Sequence, residues 1–170
     1  MRTPRVPWGE VREFERTIRG QLSKCSYREK LEDLIRQYTR ALDSRDWNGD
    51  FIRLWGVLEQ LTLAETGQDA VKRALFLYND RDRAFGRQAL KHLRIYRNRT
   101  GHAGRQETEE IETLLYQLKR YVDDLLLFHI RSAGLFASFE RAVQLLNQPP
   151  HTEVLQDRID LPKKALQYHH

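Results

Sequence analysis

The 170 residues read as an all-α protein, a single-domain antiparallel helical bundle, on three grounds. Apolar residues recur at i, i+3, i+4 and i+7, the spacing that gives a helix one oily face. No stretch alternates apolar and polar residues between hairpin turn signals, so no strand is expected. The composition, 40% hydrophobic and 31% charged with a mean hydropathy of -0.70, is that of a helix-leaning globular chain.

Pro4 and Pro7 mark a short irregular start. A first helix is expected over Gly9 to Lys24. Ser26 precedes Glu29 with capping-box spacing and opens a second helix through Leu31, Leu34, Ile35, Tyr38 and Leu42. The run from Asp46 to Asp50 reads as a loop and cap. A third helix follows on Phe51, Leu54, Trp55, Leu58 and Leu61, and Gly67 ends it. Val71, Ala74, Leu75 and Leu77 form a shorter helix that Asn79 and Asp80 stop. The next begins near Arg83 and runs at least to Arg97, before Gly101 and Gly104 bracket a break.

The longest apolar stripe comes next: Ile111, Leu114, Leu115, Leu118, Tyr121, Val122, Leu125 and Leu126. Gly134 interrupts it ahead of Leu135, Phe136, Phe139, Val143 and Leu146, and Pro149-Pro150 closes the bundle. Residues 1–47 thus read as an N-terminal helical extension packed on the bundle, and 48–148 as the main helical domain. Residues 149–170 read as a tail or short helix.

Several function classes are excluded. No apolar run reaches the roughly 18 residues of a membrane helix. The N-terminus carries no apolar core of a secretory signal, so a cytoplasmic protein is expected. Cys25 is the single cysteine, which forbids an intrachain disulfide or a CxxC site; it lacks a basic setting and reads as inert. No phosphate-binding glycine loop and no HExxH occur, so neither cofactor nor metal is expected.

The net charge is +5, unevenly spread. Residues 81–105 hold eight bases against Asp82, a local +7 that leaves -2 for the rest. A field of that kind suits a polyanion such as RNA. The plainer alternative is a solvated arginine-rich helix face.

Within that stretch, LRIYRNRTGHAGR (93–105) groups Arg97, Asn98 and His102. An arginine fork grips phosphate bidentately and stays charged as negative charge builds. An imidazole trades a proton near neutral pH, and an asparagine amide orients either partner. Together they suit attack of an RNA 2′-OH on its own 3′-phosphate, which needs neither a metal nor an enzyme nucleophile. On a straight helix Arg97 and His102 would lie about 140° apart. Either the helix bends at Gly101 or His102 faces its twin across a dimer. The alternative is a helix-end arginine with a surface histidine.

Arg97-Asn98 followed by His102 in an all-helical domain resembles the HEPN superfamily, whose ribonuclease signature is R-x4-6-H with a polar residue after the arginine. The segment FIRLWGVLEQL, residues 51–61, is similar to a helix of ApeA-like HEPN defence domains, and the helix from Phe136 to Leu146 suits that subgroup. The resemblance covers roughly residues 48 to 148; the helices over 9–44 lie outside it.

The resemblance implies a bundle that dimerises through the motif helices, so that two Arg/His pairs line one cleft. It implies a metal-independent endoribonuclease that leaves 2′,3′-cyclic phosphate, serving as a toxin or antiphage effector in abortive infection. An antitoxin or sensor protein would restrain it. The implied roles fall on Arg97 (phosphate binding), Asn98 (orientation) and His102 (proton transfer or placing the 2′-OH). Glu59 matches the acidic position on the earlier helix, as an electrostatic partner of His102 or Arg97 or as a structural ion pair.

Lys91, Arg94, Arg99 and Arg105 are expected to guide the RNA backbone, and Tyr96 to stack on a base. Trp8, Trp47 and Trp55 fit the core better than base stacking. His92 and His129 read as ordinary bundle histidines. Two rival readings remain: a catalytically silent HEPN-like module that binds RNA or a partner, and an all-α adaptor whose basic segment meets an acidic protein.

Overall fold

In a computed structural model that describes residues 7–43, 46–100 and 108–167, the chain is helical throughout, with no strand among the described residues. The centre is α3 (Trp47–Thr62). The predicted stripe of Phe51, Leu54, Trp55, Leu58 and Leu61 is buried, and so are Val57 and Thr62 on its flanks. A helix covered on more than one side must be apolar on more than one side. Its neighbours are α2 (Arg28–Asp43), α4 (Gly67–Ala74), α5 (Asp80–Thr100), α6 (Thr108–Arg131) and α7 (Phe139–Leu146).

Helix α6 has 24 residues, about 36 Å of length, and lies along α3. Its whole predicted stripe, extended by Ile130, is buried. Leu31, Leu34 and Ala41 of α2 join the same core, and α1 (Trp8–Leu22) meets α6. Trp8 departs from the core expectation: it is 80% exposed at the outer end of α1. The last helix, α8 (Thr152–Gln167), buries no residue.

Several boundaries differ from the sequence reading, each for a local reason. Ser26 does not open α2 as an N-cap; its hydroxyl donates to the Phe136 carbonyl at 2.8 Å, tying the α1–α2 turn to the segment before α7. The run expected as a loop from Asp46 to Asp50 is the first turn of α3, closed by the Asp50 N–H on the Asp46 carbonyl at 2.8 Å. Asp50 is buried there and paired with Arg53 at 2.8 Å. Helix α5 begins at Asp80, a turn before Arg83, with the Asn79 side chain accepting from the Asp82 N–H at 3.0 Å.

The largest correction concerns the end of α3. Gly67 does not terminate it. Leu63 does, in the left-handed region at φ 46°, with the Leu63 and Ala64 N–H groups turned back onto Gln60 and Glu59. That conformation costs a non-glycine residue about 1–2 kcal/mol. It is held from outside: Arg73 of α4 donates to the carbonyls of Thr62 and Leu63, at 2.7 and 2.5 Å. Gly67 instead starts α4, behind a complete Thr66/Asp69 capping box. Gly134 keeps its predicted role as a break, with φ +84°, a region glycine enters freely.

Candidate functional site

Helix α5 is anchored by Leu90, Leu93 and Tyr96, all buried. Anchoring that face turns Arg94, Arg97 and Asn98 towards Glu59 on α3 and towards the first turn of α4. The three elements enclose an open cavity of about 250 Å³. Trp55, Glu59, Thr66, Gly67, Gln68, Arg94, Arg97 and Asn98 line it. Two guanidinium groups thus face one carboxylate, leaving the lining with a net positive charge.

The carboxylate is fixed. The Trp55 indole N–H donates to Glu59 Oε1 at 2.7 Å from a ring that is 1% exposed. Arg97 is held loosely by comparison. Its Nη2 stands 3.8 Å from the same oxygen, the outer limit of an ion pair and beyond a hydrogen bond. Its side chain is 45% exposed, so solvent screens what attraction there is. Its Nη1 donates to Asn98 Oδ1 at a long 3.4 Å. A guanidinium held this weakly can turn to an incoming phosphate without breaking a strong bond.

Arg94 is half-buried and makes no hydrogen bond or ion pair among the described residues. Its stem lies across Gly67: a Cβ there would stand 3.0 Å from Arg94 Cδ and 3.3 Å from Cγ. A side chain at Gly67 would push the Arg94 stem from this position.

The structure therefore brings Arg94, Arg97, Asn98 and Glu59 to one cavity. It leaves Lys91 and Arg99 exposed and outside the lining. Arg99, two residues past Arg97, lies about 200° around the helix from it. Tyr96 is a correction. Its ring is 5% exposed, meets Phe51 edge-on at 4.8 Å, and its hydroxyl donates to Asn48 Oδ1 at 2.9 Å. The core occupies the faces that a base would need. His102 and Arg105 lie outside the described residues. His92 is exposed on α5 rather than packed within the bundle.

Two parts of the site escaped the sequence reading: Gly67 as the floor under Arg94, and Thr66 and Gln68 as the facing wall. The signal was present. Thr66 and Asp69 have capping-box spacing, which makes Gly67 the first residue of a helix.

His129, away from the cavity, is fully buried between Phe139, stacked at 4.6 Å, and the edge of Tyr27. Its Nε2 faces the Leu61 carbonyl at 3.0 Å, and Nδ1 has no partner among the described residues. Burial pushes its pKa down to about 4, with Lys30 adding in the same direction against the Leu61 bond.

No group of three or more His, Cys, Asp or Glu among the described residues is arranged to hold a metal ion. No described helix is long and apolar enough to cross a membrane. Comparisons with protein-family models, with curated proteins and with solved structures give no match.

Proposed function

We propose that this chain is a metal-independent endoribonuclease of the HEPN type, a toxin or antiphage effector restrained by a partner protein. The observation that carries the reading is the weakly tethered Arg97, beside Asn98 and a fixed Glu59 in a cationic cavity. His102 follows five residues later in the sequence.

In this reading Arg97 binds the scissile phosphate and offsets the charge that grows on its oxygens. The 2′-oxygen attacks phosphorus, so the P–O2′ bond forms and the P–O5′ bond breaks. His102 takes the 2′ proton as base. The leaving 5′-oxygen receives a proton, with the second histidine of a dimer as donor. The products are a 2′,3′-cyclic phosphate and a 5′-hydroxyl. Glu59 holds Arg97 near its working position between turnovers.

The dimer in this proposal forms along α5. Phe85 is 72% and Ile95 38% exposed, and they share an outward stripe with Gln88 and His92. The two apolar members, Phe85 and Ile95, are what a second copy would cover, on a face about 100–180° around α5 from Arg94 and Arg97.

The deciding experiment is cleavage of a labelled RNA pool in EDTA by wild type, Arg97→Ala and His102→Ala. Cutting by wild type alone, with cyclic-phosphate ends, is expected. Folded, dimeric wild type that binds RNA without cutting would assign the chain to the silent binding class instead.

A further inference from the structure

We propose that Arg94 is a second phosphate seat, which takes the RNA phosphodiester next to the scissile one. The identity of the ligand rests on the ribonuclease reading; the seat itself rests on Arg94. Arg94 is half-buried, carries a permanent charge, lines the open cavity and has no hydrogen-bond or ion-pair partner among the described residues. Such groups call for an external anion. The neighbouring carboxylate does not supply one, since Glu59 is bound to Trp55 and shared with Arg97.

The seat is shaped for this side chain. Gly67 lets the Arg94 stem pass close over the α4 backbone, at the wall of the cavity that Arg94 lines. The first turn of α4 adds little of its own, because Asp69 of the capping box offsets its positive end. The two guanidinium groups carry the site.

Spacing assigns the occupant. Arg94 and Arg97 are one turn apart, with Cβ atoms about 5–6 Å from each other on the same helix. Two forks in register along α5 suit successive phosphates of one strand. The cavity, at about 250 Å³, is smaller than the roughly 300–1,000 Å³ of pockets for drug-sized ligands, and Trp55, the one aromatic residue among its described lining, is buried. It fits backbone rather than base. The contact therefore positions the strand without reading sequence.

The probe is a fluorescent 2′-O-methyl RNA hexamer, which binds without being cut. Its Kd is measured against salt for wild type, Arg94→Ala, Arg94→Lys and Gly67→Ala. Arg94→Ala should weaken binding about tenfold. It should also reduce the slope of log K on log salt by about 0.7, the value for one phosphate on a single strand. Arg94→Lys should keep the slope. Gly67→Ala should weaken binding with the fold intact, because alanine is the better helix former while its Cβ displaces Arg94.

Cleavage then locates the seat. A neutral methylphosphonate is placed on one side of the scissile bond, then on the other. At one of these positions wild type should fall to the rate of Arg94→Ala, and Arg94→Ala should fall no further. Unchanged affinity and slope in folded Arg94→Ala, or losses that multiply at both positions, would overturn the proposal. If wild type never cuts but Arg94→Ala still loses affinity and slope, the ribonuclease reading fails and the seat stands.

Discussion

Among the described residues Glu59 is the only acid lining a cavity that holds two arginines, and its bond to Trp55 requires an acceptor rather than a charge. Glu59→Gln keeps an acceptor and removes the charge. The change is expected to tighten RNA binding a few-fold, read by fluorescence anisotropy at low salt, with stability altered by less than about 1 kcal/mol because the Arg97 pair is exposed. At His129 the effect falls on stability instead. Its folded pKa lies near 4, below the ordinary 6.5. Between those values the unfolded chain binds the extra proton, so stability is complete above pH 6.5 and declines as pH falls towards 4. The loss attributable to this one group is up to about 3 kcal/mol. Urea unfolding of wild type against His129→Gln, which keeps a donor for Leu61, should show the slope in that window only with histidine present. The Glu59–Arg97 pairing was among the sequence expectations, whereas the Trp55 bond to Glu59 and the contact of His129 with Leu61 were not. A histidine within an apolar run signals burial, whereas the single carbonyl that satisfies it depends on where α3 stops.

At the scale of elements, the faces of α3 and α6 were readable because burial repeats with the helical period over several turns. The ends were harder. Asp46–Asp50 is rich in turn formers, yet one i→i+4 bond and an inward Asp50 make it helix. The left-handed Leu63 is the least readable, since side-chain sterics argue for glycine there and the side chain that holds its carbonyl, Arg73, lies ten residues on. Three carbonyls at that end, those of Leu61, Thr62 and Leu63, are met by His129 and Arg73. Arg73→Ala should therefore cost about 1.5–3 kcal/mol in denaturant unfolding, far more than a surface arginine. Because the same turn sets the start of α4, RNA affinity should fall with it. Tyr96 offers the opposite lesson. Its spacing from Leu90 and Leu93 put it on the inner face of α5, and proximity to the motif outweighed that signal.

Across the whole molecule, the helical architecture and the concentration of charge in one segment follow from patterns spread over many residues. The cavity does not. It depends on Gly67, Trp55 and Arg94, which are far apart in sequence and meet only after α3, α4 and α5 have packed. The proposed dimer is also a property of this scale. Phe85→Glu replaces a ring that the single chain leaves 72% exposed, so the monomer should fold as before. Sedimentation should show a dimer for wild type and a monomer for the variant, and RNA cutting should be lost with the second subunit. A variant that remains dimeric would place the interface elsewhere.

The hydrogen bond from Trp55 to Glu59 gives the protein an optical readout of its own cavity. Indole emission responds to the charge and hydration around its N–H. Trp55 is sealed from water, Trp47 is half-buried and Trp8 is exposed, so in a Trp47→Phe background the emission of Trp55 and Trp8 separates by colour. Arrival of an anion at Arg97 would redistribute charge at the Glu59 carboxylate and alter the blue component alone. Occupancy could then be followed in unlabelled protein, in real time.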